Sequence, residues 1–537
     1  MTAVTSIRTR SERWLGVFAK LRPGEGRAVL LFMCYGFLVM FSYYMLKTLR
    51  EPLLLAKATA ETKSYAYAVI ALVLLFAVPA YGVLFRRVSK AQVSLYTNLS
   101  LITIQFIFLI LSWIGLNIGF AYYVWVGLFG VLITTQFWAF ATDTLNVKTG
   151  QRVFPVIMIG VSLGGLVGPV VTGHLFQILG PQQLMMISLV TLSLMLPLIG
   201  MSRDAMPYDS RSQDTAPDPG GQQFLGGFAL VFKNKYLLLL ATLIVLLNWV
   251  NTTGEYILAE VVVDHANKLL IEDPGFDRGN IIAGFYGNFF SIVNALSLFM
   301  QMFIVSRVFQ WIGVHGAILI LPVIAFLGYG LMAFVPIFSM IQLVKMMENG
   351  TDYSLMNTAR HALYLPLSST EKYQAKLAID AFFWRVGDLI QACVVYVGLT
   401  YLNFQVEQFA MLNMVLALVW LGVALRIGQQ YVAQKKALSS GEPPRLTQPL
   451  SPKTAPAGAP LVFQLPVNLF YCEPGDVLSI TVRLVDGGSL PLWLSFDPES
   501  LVFEGTPPVD VEGNTWLTVR ATNMEQDWTE TRLGFMH

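Results

Sequence analysis

Charge is what this sequence has least of. Only 13% of its 537 residues are Asp, Glu, Lys or Arg, about half the share of a typical soluble protein. A soluble surface for a chain of this length cannot be built from so little charge, and disordered or collagen-like chains are excluded for the same reason. The 35 basic and 33 acidic residues leave a formal charge of +2, so no global field points to nucleic acid as a partner. Cysteine is nearly missing too. Cys34, Cys393 and Cys472 make no disulfide framework, and the first two lie in apolar runs. The five histidines are scattered singly, so zinc-ligand spacing is absent and no metal is expected. No nucleophile elbow, HExxH, Walker or kinase signature occurs, so neither a cofactor nor an enzyme activity is expected.

What the chain has is hydrophobic length. Hydrophobic residues make up 55% of it, and a bilayer-crossing helix needs about 20 largely apolar residues. Stretches of that kind run over 28–53, 65–85, 92–113, 118–142, 153–178 and 184–199, and again over 236–262, 281–308, 314–334, 337–356, 375–402 and 409–431. The reading is an all-α polytopic membrane protein with 12 transmembrane helices in two six-helix halves, the lipid bilayer being its first partner. The halves span 28–200 and 236–431, with a basic N-terminus at 1–27 and a polar, Pro- and Asp-containing central loop at 201–235.

Loop charge predicts the orientation. Arg8, Arg10, Arg13, Lys20, Arg22 and Arg27 precede the first span, and Arg86, Arg87, Lys90, Lys148, Arg152, Arg203 and Arg211 fall in loops on the same side. The opposite loops hold little beyond Lys57, Lys63, Lys268 and Arg278. The positive-inside rule then puts both termini in the cytoplasm, as expected of a multi-pass protein of a bacterial inner membrane. After Tyr431 a Ser/Pro/Gly/Ala-rich linker (432–460) leads to short β-like runs over 461–537, read as a small all-β sandwich. Its expected core is Leu461, Phe463, Leu478, Ile480, Val482, Trp493, Phe503 and Trp516. This tail offers a surface for a protein or ligand partner.

Intramembrane charge is costly and marks function by default. Lys47, Arg50 and Glu51 share one face of the first span, and Asn248, Asn251 and Glu255 one face of the seventh. Lys345, Glu348 and Asp352 do the same in the tenth, and Asp380, Trp384 and Asp388, with Arg385, in the eleventh. Lys47, Arg50, Asn251, Glu255, Lys345, Glu348, Arg385 and Asp388 are therefore candidate substrate contacts. Lys47 with Glu51, and Lys345 with Glu348, also read as intrahelical pairs with no ligand role. Asp143 with Arg152, and Asp352 with Arg360, are candidate gate pairs at helix ends. Gly160, Gly164, Gly165 and Gly168 have the spacing of close helix packing and not of a phosphate cradle, since the stretch is apolar and lacks a lysine.

The halves repeat faintly: Thr142-Asp143-Thr144-Leu145-Asn146 precedes Arg152, and Thr351-Asp352 to Asn357 precedes Arg360. Parallel repeats of this kind characterise the major facilitator architecture. Phe41 to Glu51 (FSYYMLKTLRE), QFWAFATDTLNVKTGQRVFPVIMIGVSLGG, LNWVNTTGEYIL and ENGTDYSLMNTARHALYLPLSSTEKYQAKLAIDAFFWRVGD together resemble the ATP:ADP antiporter (NTP/NDP exchange) family, most closely its free-living bacterial members. The resemblance covers most of 28–431. It implies secondary-active exchange of a nucleotide or nucleotide-like solute by alternating access, with Arg50 standing where the family has a first-helix lysine. Asn251 stands where a seventh-helix glutamate is expected, Glu255 near a basic position, and Asp388 about where a lysine is expected. The tail segment PLWLSFDPESLVFEGTPP resembles cadherin-like and immunoglobulin-like modules.

Taken by sign, Lys47, Arg50, Lys345 and Arg385 face Glu51, Glu255, Glu348, Asp380 and Asp388. That balance suits a smaller or zwitterionic solute, or proton coupling, better than a nucleoside triphosphate with about four negative charges. Three readings therefore stand: a nucleotide-type exchanger, a proton-coupled carrier of another small polar solute, and a membrane sensor or scaffold acting through the β tail.

Overall fold

The computed structural model describes residues 25–87, 90–145, 147–205, 222–367, 375–376, 378–439, 444–466, 468–472, 478–498, 500–510, 513–523 and 527–537. Residues 1–24, most of the central loop and 440–443 lie outside them. Two compact units are present, Met1–Gln430 and Tyr431–His537.

The first unit is helical throughout. Gly26–Leu55, Ala60–Arg87, Lys90–Trp113 and Gly119–Thr144 are the first four spans. Val147–Ala205 is 59 residues long, too long for one crossing. It breaks at Gly180, whose φ of 76° suits glycine, so its two arms are the fifth and sixth spans. A short helix, Gln222–Lys233, precedes the seventh span, Lys235–Glu272. The eighth is Arg278–Phe303. The sequence reading ran it on to Val308, but the helix Val305–Phe334 starts there and breaks at Gly313, φ 67°, so the ninth span is its longer second arm. The tenth is assembled from Phe338–Thr351, a π-helical turn Asp352–Met356 and Asn357–Ala362. The eleventh is another π-helical turn, Ile379–Phe383, followed by Trp384–Thr400, and the twelfth is Val406–Ser439. Nine of the described helices are long and apolar enough to cross a bilayer on that ground alone. Splitting the 59-residue helix and counting the two π-interrupted helices gives twelve crossings.

Alternate crossings define two ends of the bundle. The near end is where the first span begins; the far end holds the turn at residues 56–59. In the first half, the first span lies against the fifth with almost no gap. A Cβ on Gly160 or Gly164 would run into the carbonyl oxygens of Met33 and Phe37, and one on Gly168 would stand 2.8 Å from that of Phe41. Glycines four apart thus receive backbone positions four apart, the close approach their spacing predicts. Phe32, Tyr35, Phe129 and Phe137, all fully buried, fill the space between the first and fourth spans.

The second unit is a β sandwich. Its strands are β1 (Arg445–Leu446), β2 (Lys453–Thr454), β3 (Leu461–Gln464), β4 (Phe470–Tyr471), β5 (Ser479–Leu484), β6 (Leu494–Asp497), β7 (Val502–Gly505), β8 (Thr515–Thr522) and β9 (Trp528–Met536). One sheet has the order β2-β9-β8-β5 and another β3-β7-β6, with β1 pairing β4. Residues 444–460, read from sequence as linker, belong to this fold: β2 pairs in parallel with β9, and Ala455 is fully buried. Their polar, Pro-rich composition fits short strands on a sheet edge. Phe503 is in the core with Leu517, Val519, Leu533 and Phe535, while Leu461, Phe463, Leu478, Ile480, Val482 and Trp493 pack around it. Trp516 is not a core residue. Strand alternation turns Leu517, Val519 and Ala521 inward, leaving Trp516 41% exposed on the outer face.

Candidate functional site

A cavity of about 760 Å³ lies between the halves. The first, seventh, eighth, tenth and eleventh spans supply Lys47, Arg50, Asn251, Glu255, Phe290, Asp352, Arg360, Trp384, Arg385 and Asp388 to its wall. Six of the eight predicted substrate contacts therefore meet in one space. Lys345 and Glu348 do not line it. Lys345 is fully buried behind the wall, 2.8 Å from Glu348, whose carboxylate also accepts from the Tyr329 hydroxyl at 2.8 Å. Helical spacing placed them on a face correctly, but that face packs on the seventh and ninth spans.

Most charges in and beside the cavity are spent on one another. Arg385 pairs with Asp388 at 3.1 Å, and Asn248 donates to the same carboxylate at 2.7 Å. Arg50 reaches Glu51 at 3.4 Å and lies over the Tyr123 ring at 4.0 Å. Glu255 accepts from Asn349 at 2.9 Å. Behind the wall runs a chain of alternating sign. Lys63 stands 3.2 Å from both Glu51 and Glu255, Glu255 lies 4.0 Å from Lys345, and Lys345 continues to Glu348.

Lys63 is the residue sequence reasoning missed. Counted as a loop charge, it is fully buried in the first turn of the second span. The available signal was its place just across a short turn from Glu51; its partner Glu255, 192 residues away, left no trace.

Two cavity cations have no carboxylate in ion-pair range among the described residues. Lys47 is surrounded by rings, 4.6 Å from Phe290, 5.2 Å from Tyr44 and 5.5 Å from Tyr353, and its hydrogen bond is to the neutral Tyr353 hydroxyl at 3.4 Å. Arg360 stacks on Trp384 at 4.7 Å and donates to Asn357 at 3.1 Å. The predicted Asp352–Arg360 gate pair is not formed. The two lie eight residues apart on the same span with no ion pair between them, and both line the cavity. Arg152 is held bidentately by Glu25 at 2.8 and 3.1 Å, tying the fifth span to the start of the first within one half. The side chain of Asp143 lies outside the described residues.

The far end is shut where the halves meet. Lys63 joins the second span to the seventh, and Gly173 of the fifth span touches Gly287 of the eighth so closely that a Cβ on Gly287 would lie 2.6 Å from the Gly173 Cα. The cavity lining instead continues toward the near end through Gln301, Thr358 and Arg360.

Solved structures share this architecture. The crystal structure of the nucleoside transporter NupG matches with a TM-score of 0.52 at 16% identity, over 76% of this chain and 99% of its own. A POT family transporter in complex with 5-aminolevulinic acid matches at 0.54 and 13%, over 75% and 96%. PepTSo, also of the POT family, matches at 0.51 and 12%, over 78% and 99%. The bundle has the major facilitator fold. Residues 443–533 match the family model described as "Putative Ig domain", in line with the sandwich. No curated protein sequence matches the chain.

Proposed function

We propose that the bundle is a secondary carrier, working by alternating access, for a small organic anion with a planar ring, of nucleotide or nucleotide-like type. The observation that carries this is Lys47: a cavity ammonium walled by three rings with no carboxylate beside it. A buried cation wants a counter-charge, and an incoming carboxylate or phosphate supplies one while its ring stacks on Tyr44, Phe290 or Tyr353. Once the internal pairs are discounted, Lys47 and Arg360 remain, enough for a mono- or dianion. A nucleoside triphosphate would bring about four charges to two cations, so the resemblance to ATP:ADP antiporters extends here to solute type more than to its charge. Glu255, Asn251, Arg385 and Asp388 shape the wall, and Lys345 with Glu348 braces it.

The orientation that loop charge supports, with both termini cytoplasmic in a bacterial inner membrane, makes the conformation inward-facing: the far, outer end is shut and the cavity runs to the cytoplasmic side. That a nucleoside transporter has the same fold is consistent with the solute class without fixing it. The test is counterflow in proteoliposomes loaded with nucleosides, nucleoside mono-, di- and triphosphates, or an aromatic carboxylate. Exchange of a monophosphate, lost in Lys47→Gln, is the expected result. Counterflow of none of them would overturn the reading.

A further inference from the structure

We propose that Asp352 is the proton-binding site of this carrier, taking a proton from cavity water and moving it together with the anionic solute. The inference rests on the carrier reading above. Asp352 is 8% exposed, lines the cavity and opens the π-helical turn Asp352–Met356. Among the described residues its carboxyl has neither a hydrogen-bond donor nor a cation in range. The other acids that line the cavity are paired, Glu255 by Lys63 and Asn349 and Asp388 by Arg385 and Asn248, and behind the wall Glu348 is held by Lys345 and Tyr329. Asp380 has one buried carboxyl oxygen unpartnered among the described residues, but it does not line the cavity. An ionised carboxylate this deep and this lonely is unfavourable, and a proton is the partner that restores balance.

The surroundings hold no other candidate partner. The charges that bear on Asp352 are on its own helix, namely Arg360, Glu348 and Lys345. Arg360, the cavity's other cation without a carboxylate, stacks on Trp384, donates to Asn357 and forms no ion pair with Asp352, while Lys345 and Glu348 engage each other. The same helix also carries Tyr353 and His361. The helices packed on the π-turn, Arg278–Phe303 and Val305–Phe334, carry Arg278, Tyr286, Arg307, His315 and Tyr329, none of which acts on it.

Coupling follows from adjacency. Tyr353, next in the chain, touches Lys47 with both its ring and its hydroxyl. The proton site and the tenth span's contact with the anion-binding Lys47 thus sit on successive residues of one π-turn, an element that recurs where helices work. When the tenth span moves against the first, the Asp352 carboxyl and the Tyr353–Lys47 contact shift together. The proton comes from hydronium in the open cavity, adds to a carboxylate oxygen, and leaves to water on the opposite side, so one positive charge accompanies the anion.

Infrared titration of the full-length protein in lipid nanodiscs tests the site without any solute. A carbonyl band of a protonated carboxyl should grow as the pH falls from neutral into the mildly acidic range, be lost in Asp352→Asn, persist in Asp388→Asn and Asp380→Asn, and shift in frequency in Asp352→Glu. A band unchanged in Asp352→Asn overturns the assignment, and the Glu variant guards against misfolding of the Asn one. In proteoliposomes, an inward acid gradient should speed uptake of labelled adenosine monophosphate severalfold in wild type and leave Asp352→Asn unresponsive. Equal rates with and without the gradient in a wild type that does exchange the monophosphate would overturn the coupling. A wild type with no monophosphate exchange at all would sink the solute reading, with the infrared band still deciding the proton site.

Discussion

The Lys63 ammonium lies 3.2 Å from Glu255, 192 residues further along the chain, and equally close to Glu51. One buried side chain thereby ties the first six-helix half to the second at the far end. Its removal would leave two carboxylates facing each other with no cation between them, and breaking a buried pair in this way costs about 3–5 kcal/mol. Because the tie exists only while the far end is shut, much of that cost falls on one conformation. Lys63→Gln is expected to shift the population toward an open far end. With the native cysteines replaced by serine, a reporter Thr252→Cys in the cavity wall should become reactive to an impermeant maleimide applied from the far side. Labelling as slow as in the unmutated tie would show that Lys63 braces the fold without gating it.

The glycine contact at the same end makes an independent test, since no charge is involved. Gly173 and Gly287 let two helix backbones touch, and a Cβ at either comes within 2.6–2.9 Å of the other's Cα. Backbone cannot give way as a side-chain tip can, so Gly287→Ala should prevent full closure. The same Thr252→Cys reporter should then label from the far side, while thermal stability in detergent falls only slightly. Unaltered labelling would mean that the two spans slide past the methyl without opening.

Lys47 and Lys345 are both buried lysines, and the structure separates their roles. Lys345 is held by Glu348 and the Asn251 carboxamide, so Lys345→Gln strands Glu348 in the wall and should lower stability by about 3 kcal/mol or more. Lys47 has rings and a hydroxyl around it, so Lys47→Gln should fold and melt like wild type, or slightly better, and lose solute binding alone. Thermal unfolding of the two variants side by side distinguishes them. A deeper loss in Lys47→Gln than in Lys345→Gln would reverse the assignment.

That contrast also marks what could be read from the chain. Hydropathy located the crossings, because twenty apolar residues in a row have few other uses, and the four-residue spacing of Gly160, Gly164 and Gly168 announced a helix contact that the structure contains. Helical spacing grouped charges by face but could not say what each face meets. Lys47 turned to a cavity and Lys345 to a neighbouring helix, although both sat in the same kind of pattern. Pairings across the halves were out of reach, so Lys63 passed for a loop charge; within the first half, the bidentate hold of Glu25 on Arg152 left no trace either. The π-turns at 352–356 and 379–383 leave no sequence trace, because they change which carbonyl each N–H meets and not the hydrophobic pattern.

The sandwich should fold without the bundle. Its eleven core residues, among them Leu465, Phe503, Leu517, Val519, Leu533 and Phe535, all come from Ala455–Phe535, and the matched family model spans 443–533. About 90 residues is an ordinary size for a single domain, and the apolar set is complete within it. The start of the excised piece matters, because β1 and β2 contribute edges: β2 hydrogen-bonds to β9 and buries Ala455. A fragment of 443–537 is therefore expected to be soluble, to show β-sheet circular dichroism and to melt in one cooperative step, whereas a fragment starting at 461 should lose the β2 edge and melt lower. An epitope placed after His537 on the full-length protein then reports sidedness. It should resist protease in sealed right-side-out vesicles and be cut in inside-out ones. Cleavage in right-side-out vesicles would place the sandwich outside, and the loop lysines and arginines would have been the wrong guide to this membrane protein's orientation.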